Sequence, residues 1–259
     1  MAILLHGFPE LSCSWSEQFA ALSDQFTVVA PQLRGYPPSY SPSSVSEYTL
    51  PILRQDLLEL VEQNRWGPIH LVGHDWGGAI AWEAAMHMDP SLLRSVSVLN
   101  SSPPALLLKR AIRSRQLFRS WYMFLFQLPK FPEWMLRRMT SEQHRRVFVN
   151  AAKNDAPFDI EGLQPYHALV RSPAFRGFHY YRAAMRKPDF GLTNVAVPAQ
   201  LIWGTDDPAL GIHLTEESLY SNWVENMTIH RIPGAGHWVQ QEAPDRVNAI
   251  LREFWSANA

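Results

Sequence analysis

The run Ile69-His70-Leu71-Val72-Gly73-His74-Asp75-Trp76-Gly77-Gly78 carries the clearest chemical signal in the chain. An apolar segment ends at Gly73, a helical pattern begins after Asp75, and glycines stand two residues to either side of the aspartate. Glycines at that spacing permit a sharp strand-to-helix turn that lifts the central side chain above the sheet. The start of the helix favours negative charge at the same point. A carboxylate placed there is already ionised and needs no base in order to attack. It suits displacement at an sp³ carbon, leaving an alkyl ester on Asp75 that water must then hydrolyse. The bland alternative is an aspartate that caps a helix.

Ester hydrolysis needs a base, and Gly234-Ala235-Gly236-His237-Trp238 offers one after the last strand pattern. Trp203-Gly204-Thr205-Asp206-Asp207-Pro208 lies just past a late strand and supplies an acid to orient it. Spacing from Gly204 favours Asp207; Asp206 is the competitor, and the loser caps the next turn. The chain order nucleophile, acid, histidine is that of the α/β-hydrolase fold. In that fold the loop after the first strand and the residue after the nucleophile donate N–H groups to an oxyanion hole. His6-Gly7-Phe8-Pro9-Glu10 is that loop here, so the donors are Phe8 and Trp76. His74 reads as a packing residue or a support beside the nucleophile.

The elements around these residues alternate. Ala2–Leu5, Phe26–Ala30, Ile69–Gly73, Val96–Leu99, Gln200–Trp203 and Met227–Ile232 read as strands. Most are nearly continuous apolar runs, as parallel strands covered on both faces require. Ile52–Arg65 places Leu53, Leu57, Leu60 and Val61 on one helical stripe, and Ala243–Trp255 does the same with Val247, Ile250, Leu251 and Phe254. The expected fold is α/β, a mostly parallel doubly wound sheet. The alternation breaks between Pro103 and about Pro188, where aromatic and basic residues recur at helical spacing. Residues 103–188 therefore read as an inserted helical cap, and 1–102 with 189–259 as the core.

Net charge is −1 over 259 residues, with 46% apolar residues. That composition fits a packed globular protein and gives no reason to expect nucleic acid as partner. Cys13 is the only cysteine, which excludes an intrachain disulfide. The longest apolar stretches fall well short of the ~18–20 residues needed to span a bilayer. The apolar start at residues 1–5 is too short for a signal peptide and lacks its basic beginning. A cytoplasmic protein without an integral membrane segment is the expectation. Lys109, Arg110, Arg113, Arg115 and Arg119 open the insertion. They read as a solvated helix face, the alternative being a preference for anionic or membrane-partitioned substrates.

Taken together, HGFPE at 6–10, GHDWGG at 73–78, W-G-x-x-D at 203–207 and GAGHW at 234–238 resemble the epoxide hydrolases of the α/β-hydrolase fold. Gln32-Leu33-Arg34-Gly35-Tyr36 is similar to a further motif of that family, although Pro37 stands where glycine is usual. The resemblance covers nearly the whole chain. It implies two cap tyrosines that hydrogen-bond the epoxide oxygen. Trp121–Pro129 resembles the first tyrosine segment and points to Tyr122; His179-Tyr180-Tyr181-Arg182 resembles the second and points to Tyr181. His179 departs from the family's asparagine, and Tyr180 stands where tryptophan is usual. Two phenols of pKa ~10 can stabilise an opening alkoxide while staying neutral. The resemblance also implies that Glu10 helps position the hydrolytic water, the alternative being a solvated loop carboxylate.

The implied activity is hydrolysis of an apolar small-molecule epoxide to a vicinal diol, with no metal, flavin or nucleotide. The alternatives are a haloalkane or haloacid dehalogenase using the same aspartate, and a non-catalytic protein of the same fold. The family has two strands ahead of the one before HGFPE, which this sheet is expected to lack. The strand at Phe26–Ala30 would then lie at an edge, covered by the chain's own loops or by a second subunit in a homodimer.

Overall fold

Six strands form one sheet in the order β2-β1-β3-β4-β5-β6, every neighbouring pair parallel. They are β1 (Ala2–Leu5), β2 (Val28–Val29), β3 (Ile69–His74), β4 (Leu93–Leu99), β5 (Ala199–Gly204) and β6 (Met227–Ile232). The computed structural model describes residues 1–111, 116–153, 157–187 and 191–259. The sheet is packed on both faces, and the alternation of side chains along each strand decides which face each residue feeds. Ile3, Leu5 and Leu71 face α2 (Leu50–Gln63) and α3 (Trp76–His87), where Leu57, Val61, Ile80 and Trp82 are buried. Ala2, Leu4 and Val72 face α1 (Ser16–Leu22) and α12 (Pro244–Ala257), against Trp15, Leu22, Leu251 and Trp255. Each aliphatic side chain so buried contributes roughly 1.5–3 kcal/mol before chain entropy is set against it.

The strand expected over Phe26–Ala30 shrinks to two residues. Phe26 N donates to Leu22 O and so closes the last turn of α1, while Pro31 has no N–H to carry pairing onward. Only Val28 and Val29 pair, with Ala2 and Ile3. They form an edge of the sheet, and Phe26 just before them packs edge-on against Trp255 of α12 at 5.0 Å. Strand β4 begins earlier than its apolar run suggests, because Ser95 and Ser97 point to buried partners, His70 Nδ1 and Gln200 Nε2. Helix α2 starts two residues before the expected Ile52, with Pro51 in its first turn.

Between β4 and β5 the described residues are helical: α4 (Pro104–Ala111), α5 (Gln116–Arg119), α6 (Tyr122–Leu125), α7 (Phe131–Arg138), α8 (Ser141–Ala151), α9 (Gln164–Arg171) and α10 (Phe178–Arg186). Arg113 and Arg115 of the basic stretch lie outside the described residues. The insertion is fastened to the core at named points. His237 N donates to Ala151 O, Trp238 Nε1 to Phe148 O, and the Tyr180 hydroxyl to Arg34 O. Within it, buried Arg182 joins α10 to α7 through Glu133 at 2.5 Å and also donates to Phe126 O and Leu128 O. The short α11 (Val239–Glu242) follows the His237 loop. Among the described residues, no helix is long and apolar enough to cross a membrane.

Candidate active site

Asp75 sits between β3 and α3 with φ 49° and ψ −115°, a conformation strained for any residue but glycine. The surroundings hold it there. Ala79 N and Ser101 Oγ both donate to its carbonyl, at 3.0 and 2.7 Å. The glycines of the motif are required by close approach. A Cβ on Gly73 would lie 2.1 Å from Gly77 O, and one on Gly77 would lie 2.1 Å from Leu5 O. The turn therefore threads backbone against backbone, and only glycine fits.

The Asp75 carboxylate has two differently placed oxygens. Oδ1 accepts from Phe8 N at 2.8 Å, while Oδ2 lies 3.8 Å from His237 Nε2. Burial pushes the carboxyl pKa up; the charge of His237 and the N–H groups of Phe8 and Trp76 pull against that rise without cancelling it. On its other side, His237 Nδ1 meets Asp207 Oδ2 at 2.8 Å. Burial disfavours the imidazolium, but the charge and hydrogen bond of Asp207, then the charges of Asp75 and Glu10, outweigh it and raise the pKa to about 9.

Of the two competing aspartates, the structure puts Asp207 against the histidine. It is 3% exposed, and its Oδ1 accepts from Ala209 N and Leu210 N. Asp206 is exposed and accepts from Gly234 N, a turn contact on the rim of the loop. Burial opposes ionisation of Asp207, yet His237, the Leu210 N–H and Asn100 hold its pKa below the usual range.

Glu10 is wholly buried rather than solvated. Its Oε2 accepts from Gly7 N at 2.9 Å and faces His74 Nδ1 at 2.6 Å; Oε1 accepts from Gln240 and Gln241. A carboxylate offers about four acceptor positions, and all are taken by protein groups. His74 continues the chain of contacts, with Nε2 2.9 Å from His237 O. Glu10 and His74 thus tie the loop that carries Phe8 to the loop that carries His237.

The two tyrosines converge on the nucleophile from the insertion. Tyr181 packs edge-on against Phe8 at 5.1 Å and Trp76 at 5.0 Å, and Tyr122 lies 6.1 Å from Tyr181, ring centre to ring centre. Burial and then the negative charge of Asp75 raise both phenol pKa values, so both groups are proton donors at neutral pH. His179, at the departure from the family motif, faces Ser43 O at 3.1 Å and plays no part in this cluster.

Four supporting residues carry no signal that the sequence motifs single out. Asn100, at φ 37° just past β4, donates to Asp207 and accepts from Gly204 N. Glu242 receives the N–H groups of Gly236, Trp238 and Lys153, and so shapes the His237 loop. Gln240 and Gln241 anchor Glu10 from the same short helix. None belongs to a local pattern; an asparagine at a strand end was the one available hint.

A model of the alpha/beta hydrolase family matches residues 2–250. The chain is 33% identical to epoxide hydrolase 3 of Mus musculus, over 98% of this chain and 70% of that one. It is 34% identical to epoxide hydrolase 3 of Xenopus tropicalis, over 98% and 71%. The chain belongs to the epoxide hydrolases of the alpha/beta hydrolase family. An inhibitor complex of the Bacillus megaterium epoxide hydrolase superposes on it with a TM-score of 0.84 at 26% identity, covering 98% of this chain and 93% of the other. In this chain Asp75, His237 and Asp207 lie in one line of contacts, with the phenols of Tyr122 and Tyr181 packed close by.

Proposed function

We propose that this epoxide hydrolase converts an apolar epoxide to a vicinal diol through a hydroxyalkyl ester on Asp75. The observation that carries the reading is the split environment of the Asp75 carboxylate: Oδ1 against Phe8 N–H and Oδ2 toward His237. Oδ2 attacks an epoxide carbon and the carbon–oxygen bond opens. Tyr122 and Tyr181 hold the oxygen and deliver the proton it needs. A water then gives a proton to His237 Nε2 and attacks the ester carbonyl carbon. The oxyanion of the tetrahedral intermediate falls to the N–H groups of Phe8 and Trp76. Collapse expels the diol oxygen, which takes the proton held by His237, and the new Asp75 carboxyl gives its own proton back to the histidine.

The raised pKa of His237 fits this order of events. In the resting site two carboxylates face the ring, and the imidazolium is favoured. Esterification neutralises Asp75, removes one of those charges and lowers the pKa, so the ring gives its proton up to the tyrosinate that ring opening leaves and becomes a base when a base is wanted. Residues 103–188 act as the lid that brings the phenols over the nucleophile. The dehalogenase alternative is disfavoured by the same phenols, because a halide leaves as a stable anion without a proton. A panel of epoxides and haloalkanes scored for diol and halide release is the test. Halide release with epoxides untouched would transfer the reading to the dehalogenases, and no turnover of either would leave a non-catalytic protein.

A further inference from the structure

The net charge of −1 conceals a division. Residues 103–188 carry 16 Lys and Arg against five Asp and Glu, a net +11, while the rest of the chain carries seven against 19, a net −12. The basic segment also exposes several large apolar side chains. Hydrogen bonds from Phe124 N to Trp121 O, Phe126 N to Tyr122 O and Leu128 N to Leu125 O keep 121–128 turning as a helix. Trp121, Phe124 and Leu128, at i, i+3 and i+7, then share one face. They are 62%, 54% and 47% exposed. Tyr122 and Phe126 occupy the opposite, inward face, packed against Tyr181. A surface helix with an apolar outer face as well as an apolar inner one is built to meet something apolar. A few residues on, Phe131 and Trp134 stack at 5.9 Å, both exposed, with the Arg138 guanidinium over the Trp134 ring at 4.9 Å.

The stripe is continuous with a cavity. Phe124 and exposed Leu108 and Met185 line an apolar cavity of about 650 Å³ that is also lined by Trp76, the residue after Asp75. Lys109, Lys130, Arg138 and Lys187 are exposed on the same elements.

We infer that the outer face of the insertion docks on an anionic lipid surface, with Trp121, Phe124 and Leu128 entering the headgroup boundary. Aromatic and aliphatic side chains on elements that also expose Lys and Arg suit that boundary, and the separation of +11 from −12 orients the molecule insertion-first on negative lipid. A second copy meeting this face about a two-fold axis would oppose its own positive charge. A nucleic acid would satisfy the charge but leave the mouth of the apolar cavity uncovered. Docked this way, the cavity opens toward the lipid, where apolar compounds partition. That the entering compound is an epoxide rests on the function proposed above; the docking itself does not.

Flotation of the full chain with vesicles of phosphatidylcholine alone, or of equimolar phosphatidylcholine and phosphatidylserine, tests the claim. Binding to the anionic vesicles should exceed binding to the neutral ones by at least about tenfold and fall as salt shortens the ~8 Å screening length. Trp121→Ser with Leu128→Ser should cut it by about tenfold, as should Lys130→Glu with Arg138→Glu, each attacking one of the two contributions. Turnover of a water-soluble epoxide without vesicles should be unchanged in both variants, which shows that they fold. Equal binding to the two vesicles, or anionic binding indifferent to both variant pairs, overturns the inference. So does an oligonucleotide duplex that competes the protein off the vesicles and is itself released by both variant pairs, or self-association that the variants abolish while vesicles go unbound. If no epoxide is turned over but anionic vesicles still bind, the chemical reading fails and the docking stands.

Discussion

Asp75, Asp207 and His237 come from the ends of β3, β5 and β6, whereas Tyr122 and Tyr181 come from α6 and α10 of the insertion. The first group stands on a sheet whose central strands are wholly buried and paired in parallel from β3 to β6, with one register shift at Ile69/His70, at the end of β3 far from Asp75. The second stands on short helices whose outer faces are open to solvent. The two regions also carry opposite charge, acidic in the core and basic in the insertion. The proposed covalent step would need its attacking and hydrolysing groups held within a fraction of an ångström, and a packed sheet does that. In the same proposal the phenols follow an opening ring, which a less rigid support allows.

If this division is right, removing a core group should stop the reaction and removing an insertion group should slow one step of it. Asp75→Ala should abolish turnover while the protein stays folded by circular dichroism. In wild-type single turnover in ¹⁸O-water, label should reach Asp75 and not the first diol; label in that diol would mean that water attacks the epoxide directly. His237→Gln should still alkylate, consuming about one epoxide per site and then stopping, because alkylation needs no base. Intact-protein mass spectrometry would show the adduct, and its absence would move His237 to another role.

Effects in the insertion should be smaller and confined to alkylation. Tyr122→Phe and Tyr181→Phe keep ring packing, and loss of general-acid assistance costs roughly 10²–10⁴-fold. Pre-steady-state kinetics should place that loss in ester formation, with hydrolysis nearly unaffected. A double variant that alkylates at the wild-type rate would dissolve the distinction between the regions.

The smallest effect is electrostatic. With Asp75→Ala, the His237 titration followed by NMR should move below about 9 while staying above that of a variant lacking Asp207, the larger contributor. The sign for stability follows. Because the folded pKa is raised, the stabilisation from His237 is complete below its unfolded value of ~6.5 and is lost as pH rises through about 9. A melting profile in which His237→Gln costs more at high pH than at low would contradict that linkage.

What the sequence determined alone was the set of residues whose local context is itself the signal. Gly73 and Gly77 around Asp75, Gly236 before His237 and the apolar runs of β1, β3 and β5 all declare themselves within a few positions, because sharp turns and buried strands constrain residue type locally. Which of Asp206 and Asp207 turns inward could be ranked by spacing but was decided by burial, since the two differ by one position in a loop. The rest was tertiary. Asn100 under Asp207, Glu242 beneath the histidine loop and the four donors around Glu10 lie up to 231 positions apart, and no local pattern records a hydrogen bond made across the sheet. The outer face of 121–128 shows the same limit. Its helical spacing is visible in the sequence, but an apolar stripe reads equally as core, and only the packing of Tyr122 and Phe126 toward Tyr181 leaves Trp121, Phe124 and Leu128 facing out.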